Sequence, residues 1–188
     1  MKPPTKKSKA TTRYLLQPLL AVPIKSGVQK LNKLIEFYLY CAPQIDSAHS
    51  CGKLKETIHD KVFQDILNAA DMRSGKSMKM LTRITDSSFS SLELDGPELS
   101  FNPPRMVCKK SYTKTTTETD LAALLRHIRN SFAHGGLYVK KTKKGNHLCL
   151  EDFDSKKKGL TARIVITDKI LTSWKNIIDG YCCSENMI

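Results

Sequence analysis

The segment Leu121–Phe132 constrains this chain most, because its apolar residues repeat with a single period and then stop. Leu121, Leu124, Leu125, Ile128 and Phe132 fall at i, i+3, i+4, i+7 and i+11. At about 100° per residue they form one stripe roughly 100° wide, which an α-helix buries as a unit. Thr117-x-x-Asp120 has the spacing of a capping box, with Asp in place of Glu, and Gly135-Gly136 supplies a stop. The spacing therefore predicts a helix over Leu121–His134. With the stripe turned inward, Asn130 and His134 lie one turn apart on the far side, flanked by Arg126 and His127. Arg129 falls on the border between the two faces.

The rest of the chain sorts by period. Leu31, Leu34, Ile35 and Tyr38 predict a helix over about 26–42 that Pro43 ends. Leu54, Ile58, Val62, Phe63, Ile66 and Leu67 predict a second over about 53–72, with Gly75 just beyond, and Met78, Leu81 and Ile84 a short third. From Ser87 to Thr119 the period is lost among Asp95-Gly96-Pro97, Pro103-Pro104 and a Thr-rich run, which reads as a long connection with one short strand pair. Alternation then takes over. Leu137 and Val139, Leu148 and Leu150, and Leu160, Ala162, Ile164 and Ile166 mark three strands. Thr167-Asp168 opens a last helix whose Ile170, Leu171, Trp174, Ile177, Ile178 and Tyr181 share a face. The expected fold is mainly α: a bundle of four to five helices with a small antiparallel sheet inserted before the C-terminal helix, an α+β arrangement. Residues 14–188 are expected to form one domain behind a basic, disordered tail over 1–13.

Charge narrows the partners. The 188 residues carry 31 Lys and Arg against 18 Asp and Glu, a formal net charge of +13, which favours a polyanion. No apolar run approaches the roughly 20 residues needed to cross a bilayer, so no membrane partner is expected. The basic N-terminus precedes Tyr14-Leu15-Leu16, but Gln17, Pro18 and Pro23 interrupt that run and no small-residue cleavage site follows. The 6 Cys show no C-x-x-C spacing, which fits reduced thiols and a cytoplasmic setting better than a zinc site. Gly75-Lys76-Ser77 lacks the upstream glycine of a phosphate-binding loop.

Taken singly, a His or Arg on the outer face of a helix is ordinary surface, and a His in the last turn suits the helix dipole. The combination is less ordinary. Arg129-Asn130-x-x-x-His134, set in Leu124–Gly135, resembles the signature of the HEPN superfamily. Those are helical proteins, many of them ribonucleases of toxin–antitoxin and phage-defence systems. Their motif is an Arg, a polar residue that is often Asn, and a His four to six residues on. The resemblance implies catalytic roles for Arg129, Asn130 and His134. It also implies a homodimer in which two copies of the motif line one composite site, and an antitoxin or other regulatory protein as partner. Some relatives follow the motif His with x-Tyr, which a partner nucleotidyltransferase modifies; here Tyr138 is displaced from that position.

The chemistry is consistent with those residue types. RNA carries its own nucleophile in the 2′-hydroxyl, so cleavage needs a group to move protons and a cation for the charged transition state. Histidine is suited to the first and arginine to the second. The basic runs suggest an RNA platform of Arg126, His127, Lys140, Lys141, Lys143 and Lys144, with Lys156–Lys158 on the next turn and Tyr138 as a candidate for base stacking. Glu151, Asp152 and Asp154 read as a solvated acidic patch, so neither a metal site nor a cofactor is expected. The sequence thus points to a metal-independent endoribonuclease acting as a toxin or phage-defence effector. The alternatives are a non-catalytic RNA- or nucleotide-binding relative and a helical dimeric interaction module.

Overall fold

A computed structural model describes residues 29–42, 54, 56–95, 103–143, 145–154 and 159–185. The expected basic tail, Pro43, Lys144 and Lys156–Lys158 lie outside the described residues. The chain runs α1 (Gln29–Glu36), a π-helical turn (Phe37–Cys41), α2 (His59–Ala69), β1 (Met78–Leu81), α3 (Asp86–Ser90) and β2 (Arg105–Lys109). It continues through α4 (Asp120–Ala133), β3 (Leu137–Thr142), β4 (Gly145–Asp154) and β5 (Gly159–Thr167) to α5 (Asp168–Glu185).

The strands form one five-stranded sheet in the order β1-β2-β5-β4-β3, with β1 parallel to β2 and every other pair antiparallel. This corrects the expectation of a mainly α bundle. The sheet is mixed and central, not a small antiparallel insert, and the fold is α+β. Two segments account for the difference. Met78–Leu81 is a strand, not the start of a third helix: Met78 is buried, its backbone pairs with Met106, and the nearby helix begins only at Asp86. Arg105–Lys109 lies within the presumed long connection, yet it is a central strand with Arg105 to Cys108 all buried.

One sheet face, built from Met106, Cys108, Leu148, Leu150, Ala162, Ile164 and Ile166, packs against the helices in the main core. The other bears a smaller cluster in which Phe89, Leu92 and Leu94 cover Val107, Cys149 and Val165. Trp174 of α5 is fully buried and its indole N–H donates to the Ile66 carbonyl of α2 at 2.9 Å, so a large apolar side chain leaves no unmet donor. Tyr38 does the same for the π-helical turn, donating to the Leu171 carbonyl at 3.0 Å. Cys108 and Cys149 are buried free thiols, and Cys182 is buried as well. Among the described residues no helix is long and apolar enough to cross a membrane.

The expected α4 stripe is observed. Leu121, Leu124, Leu125 and Ile128 are buried and Phe132 packs against the same core. Truncating Leu124 or Ile128 to Ala would cost about 2–5 kcal/mol. The cap is Thr119, whose hydroxyl accepts from the Ala122 amide at 3.3 Å, so the expected Thr117 box gives way to a simple N-cap. At the other end Gly135 adopts φ +71, and a Cβ on Gly136 would overlap the Glu151 carbonyl. The Gly-Gly stop therefore serves a close crossing of α4 onto β4 as well as a left-handed turn.

Candidate active site

α4 meets the sheet where Arg126 and His127 reach the Lys109 carbonyl of β2 and His127 reaches Asp152 of β4. Lys109 ends β2 there and Asp152 lies near the end of β4. Leu137 starts β3 opposite Leu150. The helix buries a second strip on this side, Ala123, His127 and Ser131 at i, i+4 and i+8, of which the last two are polar. His127 is fully buried. Its Nε2 donates to the Lys109 carbonyl at 2.7 Å, and its Nδ1 lies 2.7 Å from Asp152 Oδ2. Asn130 Nδ2 donates to the same carboxylate oxygen at 3.1 Å. Burial alone would push the Asp152 pKa up, but hydrogen bonds from His127 and Asn130 and the charges of His127 and Arg126 outweigh it. The carboxyl is held below its ordinary value.

Arg126 is anchored as well. Its Nε and Nη2 each reach the Glu118 carboxylate at 2.8 Å, and Nη2 donates to the Lys109 carbonyl at 2.9 Å. Burial opposes both charges. For Glu118, the hydrogen bond from Arg126, the Ser111 amide and the Arg126 charge prevail, so its pKa falls below the ordinary carboxylate value. For Arg126, the Glu118 hydrogen bond and charge raise the pKa in turn. A fork held this way is strong and directional.

Arg129 and His134 are different. Both are exposed, and among the described residues neither side chain has a hydrogen-bond or ion-pair partner. Their backbone is fixed nonetheless. The His134 amide donates to the Asn130 carbonyl at 2.9 Å, the Gly136 amide to the Ser131 carbonyl at 2.7 Å, and the Glu151 amide to the Gly136 carbonyl at 2.7 Å. An exposed cation and an exposed imidazole thus stand at the end of a helix pinned from below, while nearby carboxylates are committed elsewhere. Asp152 serves His127, Glu118 serves Arg126, and Asp120 takes Lys110 at 2.6 Å.

The residues expected from the sequence therefore separate. Arg129, Asn130 and His134 all lie in the last turn or at the C-cap of α4, with Asn130 turned in to Asp152 and Arg129 and His134 exposed. His127, expected on the outer face, is an internal strut, and Arg126 is half-buried in its pair. Lys140 and Lys141 sit on β3, where alternation sends them to opposite faces, and Lys143 follows on the turn. Lys141 is four residues, or roughly 13 Å, along the strand from Leu137. Tyr138 is half-buried on β3. Glu151 and Asp152 are not a solvated patch: they are 1% and 4% exposed and ion-paired to Arg163 and His127. One signal could have revealed them. They continue an apolar strand from Leu148 to Phe153 and are not in the turn that follows. Among the described residues no three His, Cys, Asp or Glu side chains gather to hold a metal ion.

A family model described as HEPN pEK499 p136 matches residues 54–181, which take in α2 through most of α5 and the whole of the Arg129–His134 segment. Comparison with curated proteins and with solved structures gave no match.

Proposed function

The chain belongs to the HEPN pEK499 p136 family, and from that premise we propose that it is an endoribonuclease cutting RNA through the 2′-hydroxyl without a metal ion. The observation that carries this reading is the contrast on α4. Arg126, His127 and Asn130 are held by partners, while Arg129 and His134 alone are presented to solvent on a fixed backbone. His134 takes the proton from the 2′-hydroxyl as its oxygen attacks the adjacent phosphorus. The bond to the 5′-oxygen breaks, and that oxygen receives a proton from a second imidazole. Arg129 holds the non-bridging oxygens as charge builds on them. The products are a 2′,3′-cyclic phosphate and a 5′-hydroxyl.

Asn130 commits one of its two amide N–H groups to Asp152, which leaves the second as a donor that the phosphate can use. Its carbonyl oxygen is left as an acceptor, suited to orienting an N–H of His134 one turn on or the 2′-hydroxyl itself. One imidazole cannot be base and acid in the same instant. A homodimer supplies the second His134 and a second Arg129 from one chain type. We read it as a toxin or phage-defence effector held in check by a regulatory partner, because an unrestrained ribonuclease would harm the cell that makes it.

The test is cleavage of a single-stranded RNA in excess EDTA, with product ends analysed by mass. Cyclic phosphate termini from a dimeric species support the reading. Cleavage that requires added metal, or full activity in a species that sediments as a monomer, overturns the corresponding part.

A further inference from the structure

We propose that the hairpin over residues 110–118 is a second contact for single-stranded RNA, with Tyr112 stacking on a base and Lys114 meeting a phosphate. Tyr112 is 67% exposed, one of two large hydrophobic side chains so exposed among the described residues. It does not stand on a loose loop. Tyr112 and Thr117 form an antiparallel bridge, and the Thr113 amide donates to the Thr116 carbonyl at 2.9 Å. The Thr113 hydroxyl accepts from the Thr116 amide at 3.0 Å. At the base, the Glu118 amide donates to the Ser111 carbonyl at 3.1 Å, and the Ser111 amide returns a bond to Glu118 Oε2 at 2.8 Å. These bonds close the turn without using the Tyr112 ring, so the ring is free surface held in a fixed place.

The hairpin is also tied to the candidate site. The Glu118 carboxylate at its base is the group that Arg126 grips. Arg126, Asn130 and His134 follow at i, i+4 and i+8, one strip along α4 spanning about 12 Å of helix axis. The hairpin stands at the Arg126 end of that strip and His134 at the other. An exposed aromatic ring with an exposed Lys114 two residues on suits a single strand, because every base has a face to stack and every linkage a phosphate to meet. Lys140 and Lys141, by contrast, are carried away from His134 along β3. Placement of this contact beside a cutting site rests on the ribonuclease reading; binding of RNA by the hairpin does not.

The experiment is fluorescence anisotropy with a labelled single-stranded RNA carrying 2′-O-methyl groups throughout, which cannot supply the nucleophile. Tyr112→Ala is expected to weaken binding about 5- to 100-fold, while Tyr112→Phe, which keeps the ring, stays close to the native affinity. Lys114→Gln is expected to lower the slope of log K against log salt by about one. Equal affinity of the native and Tyr112→Ala proteins, or no binding by the native protein, overturns the proposal. A native protein that binds the methylated RNA through Tyr112 yet leaves ordinary RNA intact breaks the nuclease reading while upholding this one. A native protein that cuts RNA, with Tyr112→Ala binding as well as it does, breaks only this one.

Discussion

Glu151 and Asp152 are neighbours on β4, and strand alternation sends them to opposite faces of the sheet with opposite consequences. Glu151 faces the smaller cluster. Arg163 Nε donates to its Oε1 at 2.6 Å, and the same guanidinium bonds the Leu94 carbonyl, stapling residues 91–94 over the sheet. Asp152 faces α4 and holds His127 and Asn130. Burial dominates for Glu151 and raises its pKa despite the charge and hydrogen bond of Arg163. For Asp152 the hydrogen bonds prevail and the pKa falls. One buried acid thus secures the back of the sheet, and the next secures the helix that presents the candidate site. The comparison teaches that burial of a charge does not by itself mark function; what the charge holds in place does.

The comparison is broken most severely from the Glu151 side. Arg163→Leu leaves a carboxylate buried without its counter-ion and is expected to cost about 3–5 kcal/mol in urea unfolding. Asp152→Ala strands His127 and Asn130 and is expected to cost about 2–3 kcal/mol. Because it releases Asn130, it should also slow RNA cleavage in protein that remains folded, measured at a temperature well below its melting point. A change in stability with native cleavage rates would detach Asp152 from the site.

The two acids also differ in the sign of their pH dependence. Asp152 has a native pKa below its unfolded value of about 3.9, so its stabilisation is present above that pH and is lost as pH falls through the native value. Glu151 has a native pKa above its unfolded value of about 4.3, so its contribution is most favourable below that pH and is lost as pH rises through the native value. Urea midpoints between about pH 3 and pH 7 should therefore fall less steeply on the acid side in Asp152→Asn and more steeply in Glu151→Gln. Parallel profiles for the two variants would contradict the assignment. Glu118→Gln, which weakens the Arg126 fork, is a milder change of about 1 kcal/mol. Its clearest sign is faster amide exchange confined to residues 110–118.

What the sequence made legible follows from how each signal is encoded. The α4 stripe and the α5 face repeat every 3.6 residues, so they identify themselves locally. So do β3, β4 and β5, whose alternation spans enough residues to count. Met78, Leu81 and Ile84 fit a helix by spacing, but four paired residues beside β2 decided the matter, and that partner lies 28 positions on at Met106. Arg105–Lys109 was hidden because a central strand is buried on both faces and does not alternate. The motif residues were found by their local spacing. His127 and Asp152 owe their supporting role to each other, 25 positions apart, and Glu118 owes its own to Arg126, which a hairpin and a helix start bring round to it, so none of the three is marked by its immediate neighbours. Polarity alone predicts surface for all three.

Arg129 and His134 are proposed to do chemistry on a frame that other residues hold. Both are exposed, so Arg129→Ala and His134→Ala should shift stability by no more than about 0.5 kcal/mol. The most direct measurement takes one preparation of His134→Ala and reads its melting temperature and its RNA cleavage in EDTA beside the native protein. The account predicts an unchanged melting temperature with cleavage reduced roughly 100- to 10,000-fold. A folded His134→Ala protein that cuts RNA as fast as the native one would contradict it.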